Sequence, residues 1–171
     1  MDSTKLRIAG VVENSIADGP GFRYTVFTQG CPHYCPGCHN PHTHDFAGGY
    51  LVDVDELVAA VAEDPLLAGV TISGGEPFCQ AAACAQLAQR VHELGLNVLV
   101  FSGWTLEQLQ QKAADQPDVG SLLQEIDILI DGPFVQEQKD LTLSFRGSRN
   151  QRILQLKNGQ LDKIIEDAVI E

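Results

Sequence analysis

The sequence predicts an α/β fold built as an open, partial barrel. Short apolar runs alternate along the chain with stretches of helical periodicity, a pattern typical of parallel strands joined by crossover helices. Eight strand–helix units usually take about 250 residues. Because the chain has 171 residues, a closed barrel is too large and an open one fits better. Residues 1–171 are expected to form one domain, since the sequence contains no visible linker.

The predicted strands are runs dominated by β-branched, aromatic and other apolar residues. They lie at 22–29, 69–75, 96–103, 126–132 and 152–156. The first of these runs ends where a cysteine-rich loop begins, and the second ends in a pair of glycines. A further strand over 6–14 is expected at an edge of the sheet.

The predicted helices alternate with these strands. They lie at 54–64, 79–95, 105–114, 121–125 and 162–170. Gly95 is expected just beyond the end of the second helix, because glycine readily adopts the left-handed conformation that ends many helices. Thr105 is expected to cap the start of the third helix.

Composition and charge argue against several classes of protein. Hydrophobic residues make up 44% of the chain, which is enough for a sizeable core. The 11 Lys and Arg against 23 Asp and Glu give a formal charge of -12, the opposite of the balance that nucleic-acid binders show. No run of about 18 apolar residues is present to span a bilayer, and the first residues do not resemble a signal peptide. We therefore expect a cytoplasmic protein that binds neither nucleic acid nor membrane.

Three of the five cysteines and four of the five histidines fall within one short segment. Cys31, Cys35 and Cys38 have the spacing of a buried helical stripe. Pro32 and Pro36 argue against that helix because each lacks the N–H that a helix interior needs. The segment is therefore predicted to be an irregular loop. In a reducing compartment an odd number of cysteines favours thiolate chemistry or metal binding over disulfides.

From the residues alone, two kinds of metal site remain open in this loop. A structural zinc site would use the three cysteines with His39, His42 or His44. A 4Fe-4S cluster suits the spacing C-x3-C-x2-C better, because no second, distant pair of ligands is present. Three cysteines would leave one iron open to a non-protein ligand. The iron–sulfur cluster is the favoured expectation.

Unusual segments follow four of the predicted strands. Cys31 comes after the strand at 22–29, and the segments 73–77, 102–104 and 131–134 come after the next three. Functional residues gather at the carboxyl ends of the strands in such sheets. One mouth of the sheet is therefore expected to carry all four segments.

Two of these segments resemble the motifs of the radical S-adenosylmethionine enzymes. C-x3-C-x2-C is similar to the cluster motif of that superfamily, and GGEP looks like its glycine-rich motif for the methionine part of the cofactor. Over nearly the whole chain the sequence resembles the activating proteins of glycyl-radical enzymes, in particular those of anaerobic ribonucleotide reductases. The motifs that carry this likeness are DGPGFR (18–23), GCPHYCPGCHNP (30–41), TISGGEP (71–77), DGPF (131–134) and FRGSRNQR (145–152).

The resemblance implies a fold, cofactors, an activity and partners. The fold would be the open partial barrel of the radical S-adenosylmethionine type, and the cofactors a 4Fe-4S cluster and S-adenosylmethionine. Reductive cleavage of S-adenosylmethionine would give a 5′-deoxyadenosyl radical, which would generate a glycyl radical on anaerobic ribonucleotide reductase. A one-electron donor such as a flavodoxin would supply the electron. Since the cofactor carries the radical, no catalytic side chain is expected.

The resemblance also suggests which residues hold the cofactors. The three cysteines would each bind one iron. Gly74 and Gly75 would let the backbone approach the methionine part of S-adenosylmethionine, because glycine has no Cβ. Glu76 would face the ammonium group in the methionine part of S-adenosylmethionine. Asp131 lies at a strand end, where the cofactor or a small cation would bind.

The adenine contact departs from the pattern of the superfamily. Members commonly carry an aromatic residue just before the third cysteine, where this chain has Gly37. His39 is therefore expected to stack on the adenine, and the backbone of Gly37, Cys38 and His39 to hydrogen-bond its ring. His44 stands where relatives usually have tryptophan.

Other residues have simpler interpretations. Cys79 and Cys84 are expected to fill core space, and His92 to be a helix-surface or hydrogen-bonded core histidine. Arg146, Arg149 and Arg152 are expected to contact a carboxylate, the cofactor or a partner, the alternative being a solvated loop.

Several alternative functions remain open from the sequence. The chain could be an electron-transfer iron–sulfur protein or a zinc-stabilised interaction module. Within the radical class, it could act on a small molecule as 7-carboxy-7-deazaguanine synthase does, or activate another glycyl-radical enzyme.

Overall fold

The computed structural model describes residues 4–33, 35–38 and 40–165, whose strands form one eight-stranded sheet. The strands are β1 (Lys5–Ser15), β2 (Arg23–Thr28), β3 (Tyr50–Asp53), β4 (Gly69–Gly74), β5 (Asn97–Phe101), β6 (Ile128–Asp131), β7 (Arg152–Lys157) and β8 (Gln160–Ile165). The α-helices of the described ranges are α1 (Val54–Ala62), α2 (Ala81–Glu93), α3 (Leu106–Asp115) and α4 (Pro117–Gln124). The strand order is β3-β1-β2-β4-β5-β6-β7-β8.

The centre of the sheet consists of parallel strands, as predicted. β2 pairs with β4, β4 with β5, and β5 with β6. The chain returns between them through α1, then α2, then α3 and α4. The outer strands β3 and β8 leave the sheet open on both sides. The α/β class and the open sheet are therefore confirmed.

Antiparallel strands extend the centre on both sides. β1 pairs with β2 and β3, while β7 pairs with β6 and β8. The strand predicted at 6–14 is present as β1, but its placement at an edge is wrong, because β3 lies outside it. The four residues of β3 are too short a pattern for sequence periodicity to reveal.

The prediction of a helix at 162–170 is wrong for residues 162–165, the part of it that the structure describes. Gln160–Ile165 is instead strand β8, joined to β7 by a tight hairpin turn. Asn158 and Gly159 in that turn have φ angles of 54° and 77°. Positive φ at both central residues defines a type I′ turn, for which Asn-Gly is the preferred pair. The dipeptide was thus the available signal for a hairpin, and residues 166–170 of the predicted helix lie outside the described residues.

Local signals set the ends of the helices. The hydroxyl of Thr105 accepts a 3.3 Å hydrogen bond from the Gln108 N–H, and the Gln108 side chain accepts a 3.0 Å bond from the Thr105 N–H. Gly95 follows α2 with a φ of 80°, as predicted. α2 begins at Ala81 rather than at 79, because Pro77–Gln80 is a turn of 3-10 helix. None of the helices in the described ranges has the length and apolar character needed to cross a membrane.

The two faces of the sheet have different roles. The face under the helices forms the main hydrophobic core, which includes Tyr24 and Val26 of β2. The opposite face, called the helix-free face below, carries a smaller apolar cluster of Leu99, Ile128, Ile130 and Ile153, with Phe101 and Phe145 packed against it. Because no helix packs on this face among the described residues, loops cover it and a cavity forms there.

Arg23 fixes the DGPGFR segment to the sheet. Its side chain is fully buried, and it donates hydrogen bonds to Thr71 Oγ1 at 2.7 Å, the Val70 carbonyl at 2.9 Å and the Pro20 carbonyl at 3.2 Å. Burial lowers the pKa of Arg23 to about 10. The guanidinium therefore serves as a structural anchor at the amino ends of the parallel strands.

Candidate functional site

A cavity of about 610 Å³ opens at the carboxyl ends of the parallel strands. All four strand-end segments line it, through Cys31, Gly74 and Gly75, Ser102 and Gly103, and Gly132 and Phe134. The prediction that one mouth of the sheet carries these segments is confirmed. The cavity extends along the helix-free face past Phe27 and Phe101.

The cysteine-rich segment is an irregular loop held in place by its backbone. The Gly30 N–H donates a 2.6 Å hydrogen bond to the Thr43 carbonyl, and the Cys31 N–H donates a 3.2 Å bond to the His44 carbonyl. A tight turn joins Cys35 to Cys38 through a 3.1 Å backbone hydrogen bond. The prediction of a loop rather than a helix is therefore confirmed for its described residues.

The three cysteines line the same cavity, which suits a cluster. Cys31 is buried, while Cys35 and Cys38 are half-buried. The Asn40 N–H lies 3.4 Å from the Cys38 sulfur, the kind of donor that tunes cluster potentials. No three His, Cys, Asp or Glu side chains within the described ranges are grouped to hold a single metal ion. A 4Fe-4S cluster does not need such convergence, because each cysteine binds a different iron. The donor set therefore fits the cluster.

Gly74 and Gly75 serve close packing between backbones. Gly74 has a φ of 97°. The N–H of the next residue, Gly75, donates a 2.8 Å hydrogen bond to the Thr28 carbonyl. A Cβ at Gly75 would overlap the Gly30 carbonyl oxygen and lie 2.9 Å from the Thr43 carbonyl oxygen. The sequence predicts that these glycines allow the backbone to approach a ligand. In the structure, the first atoms that a side chain at either position would meet belong to the chain itself. Both glycines nevertheless line the cavity.

Glu76 is buried beneath the cavity rather than exposed within it. Its carboxylate accepts hydrogen bonds from Ser102 Oγ at 3.0 Å, the Gly103 N–H at 2.8 Å and the Phe78 N–H at 3.1 Å, and Oε1 lies 2.6 Å from His33 Nε2. The residue is 0% exposed. Its carboxylate thus ties the cysteine loop, the start of the following helix and the segment after β5 together. Contact with the ammonium group of a cofactor stays a prediction.

His33 is a site residue that sequence reasoning missed. Its ring lies beside Gly103, where a Cβ would overlap it, and meets the Trp104 ring edge to face with centroids 4.6 Å apart. Its position between Cys31 and Cys35 was the available signal, since side chains there must lie close to any bound cluster. His33 connects the cysteine loop to the segment after β5.

Asp131 is engaged by protein groups. Its carboxylate accepts a 2.8 Å hydrogen bond from the Leu106 N–H at the start of α3 and forms an ion pair with Arg152. Arg152 also pairs with Glu107, and this hydrogen-bonded contact lowers the pKa of the Glu107 carboxyl. Of the three arginines grouped by sequence, Arg152 therefore contacts carboxylates, as expected. Cofactor or cation binding by Asp131 stays a prediction.

Two loop segments, residues 17–18 and residues 141–147, complete the cavity on the helix-free face. The segment 141–147 contributes Leu141, Leu143 and Phe145, whose alternating apolar pattern was the signal that sequence reasoning passed over. Among the described residues that line the cavity, Arg146 provides the one guanidinium group and Asp18 the one carboxylate. The cavity wall is thus largely apolar, with one charge of each sign.

The residues expected around adenine are only partly described. Gly37 has a φ of 75°, which favours glycine, and a Cβ there would lie 3.2 Å from Phe134 and Gln136 side chains. His39 lies outside the described residues, so its stacking on adenine stays a prediction. His44 lines the cavity, whereas His42 is exposed.

The remaining cysteines and His92 have structural roles. Cys84 is fully buried in the core, as predicted, but Cys79 is exposed, so the prediction that it fills core space is wrong. His92 is half-buried and hydrogen-bonds Glu125 at 2.9 Å and Asp127 at 2.8 Å, which confirms its reading as a hydrogen-bonded histidine.

Comparisons with known proteins find relatives over most of the chain. Residues 17–154 match the family described as 4Fe-4S single cluster domain. The chain is 36% identical over 146 residues to the anaerobic ribonucleoside-triphosphate reductase-activating protein of Vibrio cholerae, covering 81% of this chain and 90% of the relative. It is 34% identical over 99 residues to the pyruvate formate-lyase-activating enzyme of Clostridium pasteurianum, covering 55% of this chain and 42% of that enzyme. The crystal structure of QueE from Escherichia coli is similar with a TM-score of 0.46 and 16% identity, over 59% of this chain and 53% of that chain.

Proposed function

Since the chain belongs to the family of anaerobic ribonucleoside-triphosphate reductase-activating proteins, we propose that it generates a glycyl radical on an anaerobic ribonucleotide reductase. It is a radical enzyme whose cofactors are a 4Fe-4S cluster and S-adenosylmethionine. The observation that carries the proposal is the meeting of three cysteines and a glycine pair in one cavity at the strand ends.

Cys31, Cys35 and Cys38 are the proposed ligands of three irons. The fourth iron would be left for S-adenosylmethionine, and Gly74 and Gly75 line the same cavity as the three cysteines. When bound, the cluster supplies the electron that cleaves the sulfonium of S-adenosylmethionine to methionine and a 5′-deoxyadenosyl radical. The chain's own contribution is to hold the cysteine loop and the glycine segment in register, through backbone hydrogen bonds between them.

The proposed contacts of S-adenosylmethionine follow from the same arrangement. The backbone of Gly37, Cys38 and His39 is proposed to bind adenine. Glu76 and Asp131 remain proposed contacts, although both carboxylates already have protein partners. Their partners favour a positioning role, in which each carboxylate holds a segment of the cavity wall.

A protein substrate suits the shape of the cavity. Leu141 is 84% exposed at its rim, and the walls beneath it are lined by Leu143 and Phe145. An extended, glycine-bearing segment of the reductase entering here would meet an apolar wall that excludes water from a reactive radical. Its glycine Cα hydrogen is the favoured target, because the flanking amides stabilise the resulting radical.

A second candidate is the activation of another glycyl-radical enzyme. The partial likeness to a pyruvate formate-lyase-activating enzyme favours it, but that likeness covers 42% of the relative against 90% for the reductase-activating protein.

The donor of the electron is proposed to be a flavodoxin.

The test mixes the anaerobically purified protein, S-adenosylmethionine, dithionite and the anaerobic ribonucleotide reductase of the same organism. A glycyl EPR doublet on the reductase, followed by nucleotide reduction, is the expected result. A parallel reaction with pyruvate formate-lyase should give no doublet. Cleavage of S-adenosylmethionine with no radical on the reductase would contradict the proposal, and conversion of a small pterin-like substrate would move the assignment to the small-molecule enzymes.

A further inference from the structure

We propose that the surface groove around Trp104 is the docking site of the one-electron donor, and that the donor is a reduced flavodoxin. This inference rests on the proposed function, because only a reductive cleavage requires such a donor. The groove encloses about 340 Å³. It is lined by Trp104, Gln108, Gln111, Lys112, Asp115 and Gln116, from the segment after β5 and from α3 and its end.

Trp104 connects this groove directly to the cysteine loop. Its ring meets the ring of His33 with centroids 4.6 Å apart and planes inclined at 73°. His33 lies two residues from both Cys31 and Cys35. Electron transfer falls off steeply with distance, so a donor must dock where the ligand loop of the cluster comes close to the surface. At this groove the adjoining rings of Trp104 and His33 lead from the surface to that loop.

The groove and the cavity are separate surfaces. Trp104 packs against the hydrophobic core on the helix side of the sheet, whereas the cavity runs along the helix-free face. The residues that line the groove do not line the cavity. A donor at Trp104 would therefore leave the cavity open to the glycine-bearing segment of the reductase, and both partners could be bound together.

Charge and aromatic character at the groove suit a flavodoxin. The Lys112 Nζ lies 4.3 Å from the centroid of the Trp104 ring, which holds a cation at this point of a chain whose formal charge is -12. Flavodoxins present one edge of their FMN within an acidic rim. The indole offers a planar contact for that edge, and Lys112 offers the opposite charge to the rim. Asp115 also lines the groove, and its negative charge limits how much acidic surface can approach.

The proposed step transfers one electron and no atoms. The FMN of the donor is oxidised from its anionic hydroquinone to its neutral semiquinone, and the electron reduces the cluster held by the cysteine loop. No bond forms or breaks and no proton moves. The chain contributes the contact surface and the short path through Trp104 and His33.

The first test compares two reductants in charge-reversal variants. Lys112→Glu should lower kcat/KM for the flavodoxin hydroquinone by about tenfold in S-adenosylmethionine cleavage, because an attractive contact becomes repulsive. Cleavage driven by dithionite and the iron content should match the parent protein, since dithionite needs no docking site. Lys157→Glu, an equal charge change at the exposed end of β7, should stay within about twofold of the parent with both reductants. Equal flavodoxin-driven rates in Lys112→Glu and the parent would overturn the inference.

The second test observes binding without turnover. Trp104 is the single tryptophan of the chain, so the ¹⁵N-labelled protein with its oxidised cluster gives one indole N–H signal. Adding unlabelled oxidised flavodoxin should shift or broaden that signal, less so in Lys112→Glu and at high salt. An unmoved indole signal, whether flavodoxin binds elsewhere or not at all, would overturn the inference. Absence of dithionite-driven cleavage in the parent would instead overturn the proposed function.

Discussion

The backbone N–H of Glu76 donates a 2.8 Å hydrogen bond to the carbonyl oxygen of Gly30. Glu76 belongs to the glycine-rich segment after β4, and Gly30 directly precedes Cys31. The same carbonyl oxygen is the atom that a Cβ at Gly75 would overlap. The segment expected to bind S-adenosylmethionine and the loop expected to bind the cluster are therefore one packed unit.

Gly75→Ala should damage both cofactor sites at once. The added Cβ would push the glycine segment away from the cysteine loop, and we expect the free energy of unfolding to fall by about 1–3 kcal/mol. Urea unfolding and iron analysis measure the two effects. Gly120→Ala is the matched control, since a Cβ there lies 3.6 Å from Ala113 and its helix gains from alanine. Full iron content in Gly75→Ala with only S-adenosylmethionine binding lost would show that the glycine serves the ligand alone.

Replacing any of the three clustered cysteines should abolish the cluster. Cys35→Ala, made and purified anaerobically, is expected to lose most of its iron and sulfide and to cleave S-adenosylmethionine at background rate, because one iron loses its thiolate. Cys79→Ser is the control, as Cys79 is exposed and outside the loop. A Cys35→Ala protein that keeps the iron and activity of the parent would remove Cys35 from the ligand set.

Glu76→Gln separates a positioning role from direct contact with the cofactor. The amide would place a donor among the donor groups of Gly103, Phe78 and Ser102, so we expect a loss of about 1–3 kcal/mol in the free energy of unfolding. Glu93→Gln, at an exposed position on α2, should change that energy little. Unchanged stability together with weakened S-adenosylmethionine binding would instead favour the direct contact.

His92 should make stability depend on pH. Burial lowers the pKa of His92, but its hydrogen bonds to Asp127 and Glu125 outweigh burial and raise the pKa overall. The stabilisation is therefore fully present below the unfolded-state pKa of about 6.5, and it is lost as the pH rises through the folded-state pKa. The difference in free energy of unfolding between the parent and His92→Gln should be largest at low pH and shrink as the pH rises. A difference that grows with pH would contradict this assignment.

The sequence predicts correctly that the strand-end segments lie together at one end of the sheet, because the signals for these segments are local. Prolines in the cysteine segment excluded a helix, and the apolar runs placed Cys31, Gly74 and Ser102 at strand ends that parallel pairing then brought together. The signal for the hairpin at Asn158 and Gly159 is equally local, but the helical periodicity of the following residues predicts a helix instead.

The partners of the buried carboxylates could not be predicted in the same way. Glu76 lies 26 residues from Ser102 and 43 from His33, and Asp131 lies 21 from Arg152. Such pairs depend on how the strands order themselves in the sheet, which a single sequence does not specify. The apolar wall at 141–147 depends on the same long-range arrangement.

The most direct test of the account follows the hydrogen atom. Anaerobic ribonucleotide reductase labelled with α-deuterated glycine is incubated with this protein, S-adenosylmethionine and dithionite, and the released 5′-deoxyadenosine is analysed by mass spectrometry. The account predicts 5′-deoxyadenosine carrying one deuterium, in proportion to the glycyl radical formed on the reductase. Unlabelled 5′-deoxyadenosine alone, alongside an active reductase, would show that the hydrogen does not come from a glycine of the partner and would contradict the account.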